Sequence, residues 1–220
     1  MPVTFEDIRT SQEIRTYITQ ADASLLALGF TEHAFAHVGR CAEVAARILS
    51  GLGYPDRQVE LVRIAAFMHD IGNVVNRNNH AISGATMAFR ILDNMGMEPS
   101  EVATVITAIG HHDDATAFPV NAVAAALILA DKTDVRRSRV RNTDVINFDI
   151  HDRVNYAVER SEVLLDLEAR IVTLSLSINT EVCAVMDYFE IFLQRMVLCR
   201  KAAEMLEMRF HLEINGQTLL

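Results

Sequence analysis

Positive charge is scarce in this chain: 20 Lys and Arg stand against 29 Asp and Glu, for a net charge of -9 at pH 7. That deficit excludes a broad surface for nucleic acid or for an anionic membrane, since both need a positive field, and leaves room only for a local basic pocket. Cysteine is scarce too. Cys41, Cys183 and Cys199 are far apart, odd in number and without metal-type spacing, so they read as reduced core thiols, which favours the cytoplasm. Long apolar runs are missing: the most apolar stretch, VNAVAAALILA at 120–130, is too short to span a bilayer. The start, MPVTFEDIRT, has no basic segment followed by an apolar one, so neither export nor membrane insertion is indicated. Internal repeats and low-complexity segments are also lacking.

What is present is enough for one well-buried core with a small appended subdomain: 220 residues, half of them apolar and 22% charged. From residue 6 to about 140, apolar residues recur at three- and four-residue spacing, broken by Gly, Pro and Asn. This predicts helices near 6–29, 31–51, 56–71, 80–95, 99–111, 119–133 and 150–160. In SGLGYPD at 50–56 one helix stops, and Asp56 is expected to cap the next. Residues 134–149, rich in Arg, Asn and Asp, read as a loop. Then the texture changes. EARIVTLSLSINT at 168–180 and MRFHLEING at 208–216 alternate apolar and polar residues as half-buried strands do, and EVLLDLE at 162–168 is a candidate third strand. The stretch between them, 181–206, predicts a long helix whose Met and Phe residues serve the core or a dimer contact. The expected architecture is mainly α, with a helical bundle over 1–150 and, over 151–220, a small antiparallel sheet and a long helix packed on it.

Histidine points to chemistry. Five of the eight, His37, His69, His80, His111 and His112, fall near the inner ends of predicted helices, with carboxylates at Asp70 and Asp131. Ending the apolar helix AAFMHD on His69 and Asp70 is expensive unless something charged or hydrogen-bonding meets them. Imidazole and carboxylate together suit Mn, Fe, Zn, Co, Ni or Mg, and a divalent ion would neutralise the aspartates. An aspartate beside a histidine can bridge two ions roughly 3.5–4 Å apart while its neighbour binds one of them. His33, four residues before His37, shares its helical face. Asp113 and Asp114 are candidates to orient the imidazoles or to cap the next turn. His151 and His211 fall outside the pattern.

The ordered set in HAFAHVGRCAEVAARI, RIAAFMHDIGN, NNHAISGA, AIGHHDD and ILADKTDVRRSRV covers about 33–140 and resembles the HD-domain superfamily of metal-dependent phosphohydrolases. The resemblance implies an HD-type helical bundle. It implies His37, His69, Asp70 and Asp131 as the basic ligand set, with Asp70 bridging and the His69–Asp70 pair catalytic, and His80, His111 and His112 completing a second metal site. Two departures matter. Asn73 stands where many members carry a lysine after HDIG, so Lys132 or an arginine of DVRRSRVR would supply that charge. Gly53-Tyr54-Pro55, a mark of cyclic-dinucleotide phosphodiesterases when it follows the paired histidines, here precedes the His-Asp pair and reads as a helix breaker.

The implied reaction is hydrolysis of a phosphomonoester or phosphodiester of a small molecule, a nucleotide by expectation, through a hydroxide activated by one or two divalent ions. No serine or cysteine sits in an activating motif, so no side-chain nucleophile is expected. Guanidinium groups fit phosphate oxygens. If the segment is helical, Arg136 and Arg139 lie one turn beyond Asp131 and Lys132; they join Lys132 and Arg77 as expected substrate ligands, ahead of Arg137 and Arg141, with Asn78 beside Arg77 at the mouth. Two other functions fit the same residues: a non-catalytic metal-binding or ligand-sensing module, and a di-iron oxygenase of HD type. A homodimer through the C-terminal helix or a sheet edge is a further expectation, with neither membrane nor extended nucleic acid as partner.

Overall fold

Helix boundaries follow the capping chemistry of the chain. The computed structural model describes residues 2–114, 116–142 and 150–219 and opens with α1 (Phe5–Thr10) and α2 (Gln12–Ala27). The single helix expected over 6–29 is split at Ser11, which leaves helical geometry and accepts the Ile14 amide, capping α2. Thr4 and Asp7 form a capping box on α1. Between α3 (Phe35–Gly51) and α4 (Asp56–Met68), the capping position is Pro55 rather than Asp56. Asp56 already lies in the first turn, where its charge suits the positive end of the helix. A short 3-10 turn (Ile71–Val74) leads to α5 (His80–Asn94), α6 (Pro99–Gly110) and α7 (Ala122–Lys132).

α7 is apolar all round and accordingly sits inside the bundle, against α3, α4, α6 and α9 (Val185–Met205). Leu127, Ile128 and Leu129 are fully buried, each stabilising by about 1.5–3 kcal/mol. The helix thereby carries Asp131 and Lys132, at its end, into the middle of the molecule.

The C-terminal part runs α8 (Ile150–Ala157), β1 (Val158–Asp166), β2 (Ile171–Ile178), α9, β3 (Arg209–Ile214) and β4 (Gln217–Thr218). The helix expected over 150–160 stops at Ala157, because the chain from Val158 onward pairs with β2. The sheet is mixed, not antiparallel throughout: β1 and β2 are antiparallel, β2 and β3 parallel. The long α9 is the crossover that returns the chain to the starting end of β2, and a parallel pair needs such a connection. Val172, Leu174, Leu176 and Ile178 alternate inward and join the buried cluster. One buried cluster extends from Val3 to Ile214, so the two parts share a core. All three cysteines are buried and free of disulfides. Among the described residues, no helix is long and apolar enough to cross a membrane.

Candidate metal centre

Five helices bring their ends to one place. His37 lies in the first turn of α3, His69 ends α4 with Asp70 beside it, His80 opens α5, His112 follows α6, and Asp131 is in the last turn of α7. The four histidines are at most 2% exposed and Asp70 is 5% exposed. Four overlapping groups of donors result, in each of which the atoms lie within 4.8 Å of one another. They are His37, His69 and Asp70; His37, Cys41 and Asp131; His69, His112 and Asp131; and Asp70, His80 and His112. His111, expected in the set, belongs to none of them. α6 ends at Gly110, and of the two adjacent histidines that follow only His112 is buried with the donors.

Each imidazole is latched through Nδ1: His37 to Asp134 Oδ2 at 2.8 Å, His69 to the Ala66 carbonyl at 2.7 Å, His80 to that of Arg77 at 3.0 Å, and His112 to that of Ile109 at 2.6 Å. These oxygens accept, so Nδ1 carries the proton and Nε2 presents a lone pair. The Nε2 atoms of His37 and His69 face each other at 3.3 Å, those of His80 and His112 at 3.2 Å. Lone pairs this close repel unless a proton or cation lies between them. Asp70 divides its carboxylate between the pairs, with Oδ2 3.6 and 3.3 Å from His37 and His69, and Oδ1 3.4 and 3.9 Å from His80 and His112. Asp131 Oδ1 is 3.4 and 3.8 Å from His37 and His69. This mixture of imidazole nitrogen and carboxylate oxygen fits a divalent transition-metal ion, or two that share Asp70.

The charges agree with that fit. Burial disfavours an ionised Asp70, yet the charge and hydrogen bond of His69 hold it well below the usual carboxylate range. Asp131 is likewise held down, against its burial, by Lys132 and His37. Burial, then the neighbouring charges of His69 and Lys132, push His112 down to about 3. His69 is raised: burial opposes its charge, but Asp70 and Asp131 outweigh it. Anionic carboxylates and a neutral His112 are the forms that metal ligands take, and a cation at His69 would take the place of the proton that Asp70 and Asp131 favour there.

Behind the donors lies a set of residues that sequence reasoning missed or placed otherwise. Asp134, fully buried, receives His37 and is enclosed by Arg40 Nε at 3.1 Å, Arg136 Nη2 at 3.0 Å and Arg139 Nη1 at 3.8 Å. Burial opposes its ionisation, and the His37 and Arg136 hydrogen bonds nevertheless keep it far below the ordinary carboxylate value. Arg136, expected on the substrate, is engaged by Asp134 and does not line the cavity described below. Arg137 and Arg141 pair with Glu159 and Asp22. Asn73, at the position of the expected lysine, donates to Asp70 O and Oδ1, both at 2.9 Å, and its own oxygen accepts from Arg77 Nη1 at 3.3 Å. A Cβ on Gly72 would overlap the backbone of His80 and Gly84. The absence of a side chain there lets the His69–Asp70 segment pass backbone to backbone against α5.

A cavity of about 420 Å³ opens over Asp70, His80, His112 and Asp131. Of the expected substrate ligands, Arg77, Lys132 and Arg139 line it. Lys132 Nζ lies 2.8 Å from Asp131 and 3.0 Å from Asp114; burial opposes its charge, and these two carboxylates raise its pKa above the ordinary lysine value. Arg77 sits 5.4 Å over the Phe30 ring, with Nη1 3.4 Å from His80 Nε2. Arg139 donates Nε to Glu32 O and Nη1 to Asp134 O. Arg195 of α9 also lines the cavity, and its Nε donates to Asp114 at 2.9 Å. Its only trace in the sequence is one cation interrupting an apolar helix face. Asp114 therefore binds cations rather than orienting an imidazole, while Asp113 Oδ1 is 3.9 Å from His80 Nε2. His33, with Nδ1 2.6 Å from the Thr31 carbonyl, and His151 line the cavity outside the donor groups, and His211 is in β3.

A family model described as HD domain matches residues 34–175, well over half of the chain. A curated protein of Methanocaldococcus jannaschii, MJ1020, is 22% identical over 182 residues, which cover 72% of this chain and 70% of that protein. A crystal structure of a predicted HD superfamily hydrolase from an uncultured Thermotogales bacterium shares 29% identity, covering 57% of this chain and 68% of its own, with a TM-score of 0.45.

Proposed function

The chain belongs to the HD domain family, and from that premise we propose that it is a metal-dependent phosphohydrolase cleaving a phosphomonoester or phosphodiester of a small molecule such as a nucleotide. The observation that carries this reading is the convergence of four inward Nε2 atoms, the buried Asp70 and the partly buried Asp131 beneath a cavity walled by cations. His37, His69, Asp70 and Asp131 would hold one ion, and Asp70, His80 and His112 a second. Divalent ions, when bound, bring a water molecule toward ionisation at neutral pH and neutralise charge on phosphoryl oxygens.

The protein's own contribution is placement. Asp70, fixed by Asn73, spans both imidazole pairs. Lys132 and Arg139, held in position by carboxylates and backbone carbonyls, present positive charge to phosphoryl oxygens. Arg77, stacked on Phe30, does the same from the side of His80. A thiol nucleophile is disfavoured, because burial and then the nearby aspartates push Cys41 well above the ordinary thiol value.

The test joins metal content to turnover. Elemental mass spectrometry should find roughly two transition-metal ions per chain, and added Mn²⁺ should support hydrolysis of p-nitrophenyl phosphate or its bis-ester. Asp70→Ala should lose both the metal and the activity. Activity that survives in Asp70→Ala would overturn the reading, and bound iron with oxygen uptake and no phosphate release would replace it with oxidation.

A further inference from the structure

The cavity wall opposite in character to the donor cluster is a set of guanidinium groups, each anchored along one edge. Arg195 is fixed by Nε to Asp114 and lies 4.8 Å over the Phe192 ring, while its two Nη atoms make no hydrogen bond among the described residues. Arg139 commits Nε and Nη1 to backbone carbonyls and keeps Nη2. Arg77 rests on Phe30 and engages Asn73 through Nη1. Side chains held this way before a ligand arrives lose little freedom on binding, and guanidinium is the cation best shaped for a phosphoryl group.

Charge and size point the same way. Four cationic side chains and three carboxylates line the cavity, and two of those carboxylates, Asp70 and Asp131, are turned to the donor cluster. Metal ions would add further positive charge, more than one phosphoryl dianion offsets. The volume of about 420 Å³ lies in the range of pockets that enclose whole small molecules. Arg77 and Arg139 lie within residues 34–175, whereas Phe30, Phe192 and Arg195 fall outside them, so the Arg195 part of this wall is not covered by the family model.

Resting on the phosphohydrolase reading, we propose that Arg195, with Arg77 and Arg139, forms a second anion subsite, so that the substrate carries two phosphoryl groups, one at the donor cluster and one on the guanidinium wall.

Calorimetric titration of the full chain as purified tests this without turnover. The probes are inorganic phosphate, methylenediphosphonate, whose P–C–P link is not hydrolysed, and malonate, each supplied with equimolar Mg²⁺. The diphosphonate should bind at least about tenfold tighter than phosphate, and Arg195→Gln should lower its affinity about tenfold with much less effect on phosphate, the loss expected for one charged hydrogen-bond donor. Arg195→Lys should recover part of the loss, and Arg77→Gln, beside His80, should weaken phosphate and diphosphonate alike. Thermal melts matching wild type confirm that the variants are folded. Equal affinities for phosphate and diphosphonate, or equal losses for both in Arg195→Gln, overturn the subsite while leaving phosphoester hydrolysis standing. Malonate binding as tightly as the diphosphonate, with the same dependence on Arg195, overturns the phosphoryl assignment. Arg195-dependent preference for the diphosphonate in a protein that hydrolyses no phosphoester supports the subsite and sinks the hydrolase reading.

Discussion

The two halves of the donor cluster share Asp70 but are built from different materials. In the first, His37 and His69 face Asp70 Oδ2 and a second carboxylate, Asp131, and His37 is backed by the buried Asp134. In the second, His80 and His112 face Asp70 Oδ1, His80 has Asp113 at 3.9 Å, His112 reaches Asp131 only within a group shared with His69, and both rings latch to neutral backbone carbonyls. A carboxylate behind an imidazole makes it a stronger base, and a second anion adds direct attraction to a cation. The comparison teaches that two similar-looking histidine pairs need not bind alike: the first half should fill before the second.

The most severe way to break the comparison is Gly72→Ala, which strikes both halves at once. Its Cβ meets backbone at His80 and Gly84, where nothing flexible can yield. A loss of about 3–5 kcal/mol in stability is expected from urea unfolding, with Mn²⁺ binding weakened in both halves. Next, His80→Ala should remove the weaker phase of a calorimetric Mn²⁺ titration and leave the tighter one in place; disappearance of both phases would show that the halves are a single unit. Asp134→Asn keeps the shape of the side chain and removes the anion behind His37. The tight phase alone should weaken, by about 10–100-fold, and an equal shift in both phases would contradict the division drawn above. The smallest effect belongs to a control away from the cluster, Glu101→Gln. Arg57 Nε donates to Glu101 at 2.7 Å, and that hydrogen bond holds the Glu101 carboxyl below its usual value. A depressed carboxyl stabilises above its unfolded pKa, about 4.3, and the contribution is lost as pH falls through the folded value. The variant should therefore be less stable by under about 1 kcal/mol at pH 7, the gap closing below about pH 4, with neither Mn²⁺ phase altered.

Much of this was legible in the sequence, and the reasons differ by element. Helix stops at Gly and Pro, and donors at helix ends, are local features, so the bundle and the cluster of His37, His69, Asp70, His80, His112 and Asp131 could be anticipated. His111 and His112 are chemically identical neighbours, and only the geometry at the end of α6 tells them apart. The alternation of β2 and β3 reveals buried faces but carries no sign of strand direction, which α9 decides from outside the strands. In DVRRSRVR, charge alone could not say that Arg136 turns back onto Asp134 while Arg139 reaches the cavity. Arg195 was hidden for the same reason: its role depends on Asp114, 81 residues earlier.

Three of the four imidazole latches run to a carbonyl only three residues upstream, from His69 to Ala66, His80 to Arg77 and His112 to Ile109. A donor tied within its own turn is aimed as soon as that turn forms, and little rotamer entropy remains to be lost when an ion arrives. The order of assembly follows from this. The continuous apolar cluster shapes the chain, in contrast to small metal domains that remain unfolded until they are loaded. An ion would then enter as a ligand of a formed site and add stability in proportion to the logarithm of its concentration over its dissociation constant.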